Sequence, residues 1–122
     1  MLLSHQQGFS LIEVMVAAAI LSFSLLSFAQ AQLMALHASE QAYLINLADL
    51  KNVELAENFK ICGSRPLCMQ QVLTVWKKEI QESFPKGMGQ LSKLNLFNYQ
   101  NKIQWFSNFS KFPLSLNLLF SA

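Results

Sequence analysis

Three groups of residues in this sequence have the types and spacing to do chemistry. The first is a lone acid, Glu13, inside the stretch Gly8-Phe9-Ser10-Leu11-Ile12-Glu13-Val14-Met15-Val16. From Val14 to Ala29 there is no charge, no Gly and no Pro, and the run counted from Phe9 approaches the roughly 20 residues that cross a bilayer as helix. A carboxylate at the middle of such a helix costs on the order of 2.5–3.5 kcal/mol on insertion scales, so Glu13 requires a partner or an interfacial position. The second group is the cysteine pair of Cys62-Gly63-Ser64-Arg65-Pro66-Leu67-Cys68. A redox motif would place two residues between its cysteines, and zinc would need further ligands such as a nearby His. A structural disulfide between Cys62 and Cys68 is therefore the expectation, with two free thiols as the alternative. An oxidising compartment would preserve such a bond. The third group is His37 with scattered acids. Glu54, Glu57, Glu79 and Glu82 stand at helical spacings of three and read as solvated helix faces. No base, nucleophile and acid occur together at credible spacing, so the sequence points away from an enzyme, and no metal or cofactor site is expected.

The elements that must carry these groups read mostly as helix. Beyond Ala29 the apolar run becomes amphipathic without a break: Leu33, Leu36, Tyr43, Leu44, Leu47 and Leu50 recur among Gln30, Gln32, His37, Ser39, Glu40, Gln41, Asn46, Asp49, Lys51 and Asn52. With no Pro or Gly between Gly8 and Gly63, one helix from about Phe9 to about Phe59 is expected, roughly 75 Å long at 1.5 Å per residue. A hinge near Gln30 to Gln32 is the alternative. Past the cysteines, Val72, Val75, Trp76, Ile80 and Phe84 form a second stripe at helical spacing, which assigns Trp76 to a core. The cluster Pro85-Lys86-Gly87-Met88-Gly89 then turns the chain. Short apolar pieces follow at Leu94, Leu96 and Phe97, at Ile103-Gln104-Trp105-Phe106 and at Phe112 to Phe120, and the alternation of Leu114, Leu116 and Leu118 is strand-like. The economical assembly is α+β: a long N-terminal helix, half transmembrane and half amphipathic, packed against a small head with a short helix and a three-stranded antiparallel sheet. About 60 residues lie beyond Lys60, near the lower limit for an independent core, so the head should lean on the helix. A formal charge of +2, with the Lys spread from Lys51 to Lys111, offers no basic patch for nucleic acid.

The segment Gly8-Phe9-Ser10-Leu11-Ile12-Glu13 resembles the class III leader of type IV prepilins and type II secretion pseudopilins. The resemblance implies that a prepilin peptidase cuts between Gly8 and Phe9, that Phe9 becomes the methylated N-terminus, and that Glu13 serves subunit packing. Four residues apart on a helix, the Phe9 amine and the Glu13 carboxylate would share a face, so the acid could meet its own terminus or that of the next subunit. The head is similar to that of PilV-like minor pilins, also called type IV pilus modification proteins. Its Trp76, the turn Phe84-Pro85-Lys86-Gly87-Met88-Gly89 and the strand Ile103-Gln104-Trp105 follow their order, with Lys86 where a Gly is common. The implied divisions are a leader at 1–8, a transmembrane or filament-core helix at 9–29, an amphipathic half at 30–60 and a periplasmic head at 61–122. The implied protein is a minor pilin of the bacterial inner membrane, and after assembly of the pilus, with other major and minor pilins as partners. A minor pseudopilin of a type II secretion system, or a signal-anchored periplasmic domain, is the alternative. The leader has His5 but no Lys or Arg, and Ala29-Gln30-Ala31 is a candidate signal-peptide site for a rival topology.

Overall fold

The computed structural model describes residues 2–108 and 110–121, with side chains from Ser10 onward. The elements are α1 (Leu2–Cys62), α2 (Pro66–Ser83), β1 (Met88–Lys93), β2 (Asn98–Trp105) and β3 (Leu114–Ser121). This is an α+β chain, and it divides into two compact units, Met1–Glu40 and Gln41–Ala122.

The first unit is helix alone. Two of its mid-helix serines, Ser22 and Ser24, satisfy their hydroxyls within the helix by donating to the carbonyls of Ala18 and Ile20, each at 2.8 Å. All side chains from Ser10 to Leu36 are exposed.

In the second unit the remainder of α1 buries Leu44, Ala48, Asn52, Leu55, Ala56, Phe59 and Cys62, a stripe stepping by threes and fours. Tyr43 and Leu50, which the sequence places on the apolar stripe, are instead exposed, and Asn52, which it places among the polar residues, is fully buried. The face that meets the sheet decides this, and Asn52 lies at its centre. Helix α1 stops where Gly63 adopts φ +62 and its N–H donates back to the Phe59 carbonyl at 3.1 Å. Pro66 opens α2, where its missing N–H costs nothing. The cysteine segment is thus a tight corner between two helices rather than a free loop. Cys62 and Cys68 are disulfide-bonded across it with their Cα atoms 5.6 Å apart.

The sheet order is β1-β2-β3, antiparallel throughout. Direct partners share a face, so the register puts Gly89, Ile103 and Leu116 in one row, Leu91, Asn101 and Leu118 in the next, and Tyr99 beside Phe120. These form the inner face, while Gln90, Ser92, Gln100, Lys102, Gln104, Ser115 and Asn117 form the outer one. Strand β1 begins inside the segment that the sequence reads as a turn, and Leu94, Leu96 and Phe97 lie in the β1–β2 connection instead. The core joins Leu55, Phe59, Trp76, Ile80, Phe84, Ile103 and Trp105. The Asn101 Nδ2 donates to the Asn52 carbonyl at 3.1 Å, and the Phe59 ring stands edge-on to Tyr99 and Phe120 at 5.7 and 5.9 Å. As α1 advances from 52 to 59 the contacted β2 residue falls back from 101 to 99, so α1 runs against β2 and with β1 and β3.

Candidate functional site

The apolar helix around Glu13 is the feature least suited to water. Among the described residues the chain has one helix long and apolar enough to cross a membrane, and none of its most apolar stretch is buried. Leu11, Val14 and Phe23 leave 66%, 66% and 76% of their surface open. Apolar surface contributes roughly 25 cal/mol for each Å² removed from water, so this helix gains stability only against lipid or other apolar helices. The hydroxyls of Ser22 and Ser24, satisfied within the helix, bring no unpaired polar group into such surroundings.

Glu13 rises from a face formed by Ile12, Val16, Ala17 and Ile20, all within two turns of it. It is the sole acid in the sequence between Met1 and Ser39. The arrangement can do one thing chemically: offer a carboxylate to a cation brought against an apolar helix face, where a low dielectric strengthens the attraction. The backbone of Gly8 and Phe9 lies in α1, one turn before Glu13, and the Phe9 side chain lies outside the described set.

The other residues singled out from sequence have structural surroundings. Trp76 is buried, and its Nε1 donates to the Lys51 carbonyl at 2.9 Å, tying α2 to α1. Glu79, expected on a solvated face, pairs with Lys51 at 2.6 Å, and Glu54 meets the same ammonium at 3.0 Å. The hydrogen bond that the Lys51 ammonium donates to Glu79 raises the Lys51 pKa above the ordinary lysine value; partial burial opposes it and Glu54 adds to it. Glu57 pairs with Lys60 one turn away. His37 is half-buried on α1. Among the described residues no group of three or more His, Cys, Asp or Glu is placed to hold a metal.

Sequence reasoning missed the Lys51–Glu79 bridge and the Asn52–Asn101 contact. Both join residues far apart in the chain, and no local spacing could have signalled them.

Residues 3–29 match the family described as the prokaryotic N-terminal methylation motif. The match takes in Gly8, Phe9, Glu13 and the uncharged run up to Ala29. No curated protein and no solved structure matches the chain.

Proposed function

We propose, from the premise that residues 3–29 make this a type IV pilin-like chain, that it is a minor pilin, processed by prepilin peptidase and built into a type IV pilus. The observation that carries this reading is an apolar helical stretch, exposed from Ser10 to Leu36, bearing one acid a turn beyond the motif's Gly8–Phe9 pair. Cleavage after Gly8 frees the Phe9 amine. Glu13, four residues on, then offers its carboxylate to that amine or to that of the next subunit. Pairing lowers the cost of holding the acid away from water, and it sets the stagger between neighbouring helices.

The segment 9–29 first anchors the chain in the inner membrane and then packs against sister helices as the filament grows. Segment 30–60 leads from it into the head at 61–122. The head lies in the periplasm, an oxidising compartment that suits the Cys62–Cys68 disulfide. It acts by packing rather than catalysis. A minor pseudopilin of a type II secretion system would use the same N-terminal parts, and that is the alternative reading.

Mass analysis of the mature N-terminus tests the proposal. A chain beginning at methylated Phe9 is the expected result, with Gly8→Ala leaving the leader attached. A membrane protein still beginning at Met1, or one beginning past Ala29, would overturn it. Glu13→Ala is expected to be cut normally but to be depleted from sheared filaments.

A further inference from the structure

We propose that a cleft at the Cys62 end of the second unit binds a small amphiphilic carboxylate, an alkyl or aryl body ending in one anion. The cleft lies where the α1–α2 corner faces the β1–β2 connection, and its volume is about 500 Å³. Gly63, Ser64, Pro66 and Met69 line it from the corner, and Leu96, Phe97 and Tyr99 line it from the sheet side. Concave, mostly apolar sites of this size with a few polar groups are the kind that take small ligands. Every residue used here lies in Gln41–Ala122, so the inference does not depend on the pilin reading.

Both walls are shaped before any ligand arrives. The corner is closed by the Cys62–Cys68 disulfide, and a Cβ at Gly63 would meet only open space. On the other side the Leu94 and Asn95 N–H groups donate to the Asn98 carbonyl at 2.9 and 3.3 Å, which ties the connection that carries Leu96 and Phe97. Those two side chains are 78% and 69% exposed, although Met69 and Tyr99 beside them pack on the core. An apolar body in the cleft would cover them, at roughly 25 cal/mol for each Å² removed from water. Because the backbone on both sides is already held, little ordering cost opposes that gain.

Charge selects the other end of the ligand. The lining residues come from two stretches of sequence, 58–78 and 83–122, which together hold seven Lys, one Arg and no acid. Lys93 is the one charged residue lining the cleft, and its Nζ stands 5.9 Å from the centre of the Tyr99 ring. Among the described residues no carboxylate pairs with it; the ion pairs of this unit belong to Lys51 and Lys60. An ammonium beside an apolar wall attracts an anion more strongly than one in open water does. One ammonium balances one carboxylate, whereas a phosphate dianion would keep a charge unmatched, so the monocarboxylate is the head group that fits.

The test follows the methyl NMR signal of Met69 in the full chain, held in nanodiscs of zwitterionic lipid, as octanoate is added; Met69→Leu assigns the signal. A saturating shift is expected with octanoate. Octanol should bind roughly fivefold more weakly, corresponding to about 1 kcal/mol for the charge, and octylammonium more weakly still. Lys93→Gln should bring octanoate down to the level of octanol, and Lys93→Arg should keep the preference. Phe97→Ser, which removes part of the apolar wall, should weaken octanoate and octanol alike. Lys93 and Phe97 are both exposed, so an unchanged Tm is expected of these variants. No saturating shift at Met69, a shift confined to Met15 on the apolar helix, equal binding of octanoate and octanol, tighter binding of octyl phosphate, or a preference that survives Lys93→Gln would each overturn the proposal.

Discussion

Gly89→Ala should destabilise the head through a single collision. A Cβ at this position would lie 2.5 Å from Cζ3 of Trp76, 2.9 Å from Cη2 and 3.2 Å from Cε3. Ordinary carbon contacts begin near about 3.5 Å, so ring and strand must separate by roughly 1 Å. Trp76 has little freedom to yield: it is 3% exposed, and its Nε1 is held by the Lys51 carbonyl at 2.9 Å. Overpacking of this kind costs about 1–3 kcal/mol. Restricting the unfolded chain offsets about 0.4–1 kcal/mol of that, because Gly89 is not in a positive-φ conformation and Ala can adopt its backbone. At mid-range the net loss is about 1.3 kcal/mol, or a Tm lower by roughly 5–10 °C for a unit of this size. The assay is thermal unfolding of the full chain in detergent, followed by Trp fluorescence, in a double-mutant cycle with Trp76→Phe. Phenylalanine lacks the outer ring that the new methyl would strike, so Gly89→Ala should cost less in that background, with a coupling of about 1 kcal/mol. If Gly89→Ala leaves Tm unchanged, or costs the same in both backgrounds, the assignment of Gly89 to the close approach of Trp76 is wrong.

Lys86 adopts φ +49, a left-handed conformation that side chains other than Gly resist, so Lys86→Gly should raise head stability by up to about 1 kcal/mol in the same unfolding assay. Its ammonium also sits 5.9 Å from the Phe106 ring, and Lys86→Ala should show no such gain. Reducing the Cys62–Cys68 bond opens a short loop and should cost about 2 kcal/mol, read as a Tm about 10 °C lower with reductant than without. Lys51 has a pKa above the ordinary lysine value, chiefly through its hydrogen bond to Glu79, so its contribution is fully present below about pH 10.4 and is lost as pH rises through the higher folded value. Head stability should therefore fall above that pH in the wild type and fall less in Lys51→Met, as measured by urea unfolding across alkaline buffers.

The two units differ in how their apolar residues are covered. The second unit covers its apolar residues with its own helices and sheet, while the first leaves Leu11 to Leu36 uncovered. A helix that presents apolar surface on every side, with one acid near its start, must be completed by its surroundings.

Composition and spacing alone determined the parts that depend on local chemistry. An uncharged run of this length without Gly or Pro reads as an apolar helix, the Gly8-to-Glu13 segment is legible as consecutive residues of the matched methylation motif, and Leu114, Leu116 and Leu118 alternate because strand side chains do. Tertiary structure decided what depends on which faces meet. The stripe of α1 was shifted so that Asn52 is buried and Tyr43 exposed, because the sheet lies over that face. Gly89 entered a strand rather than a turn because the Trp76 ring occupies the space of a side chain. Lys51 found Glu79 across 28 positions of sequence, and the β3 edge was left open. Periodicity records that a residue has a buried or exposed side; which partner covers that side is fixed only when distant segments pack.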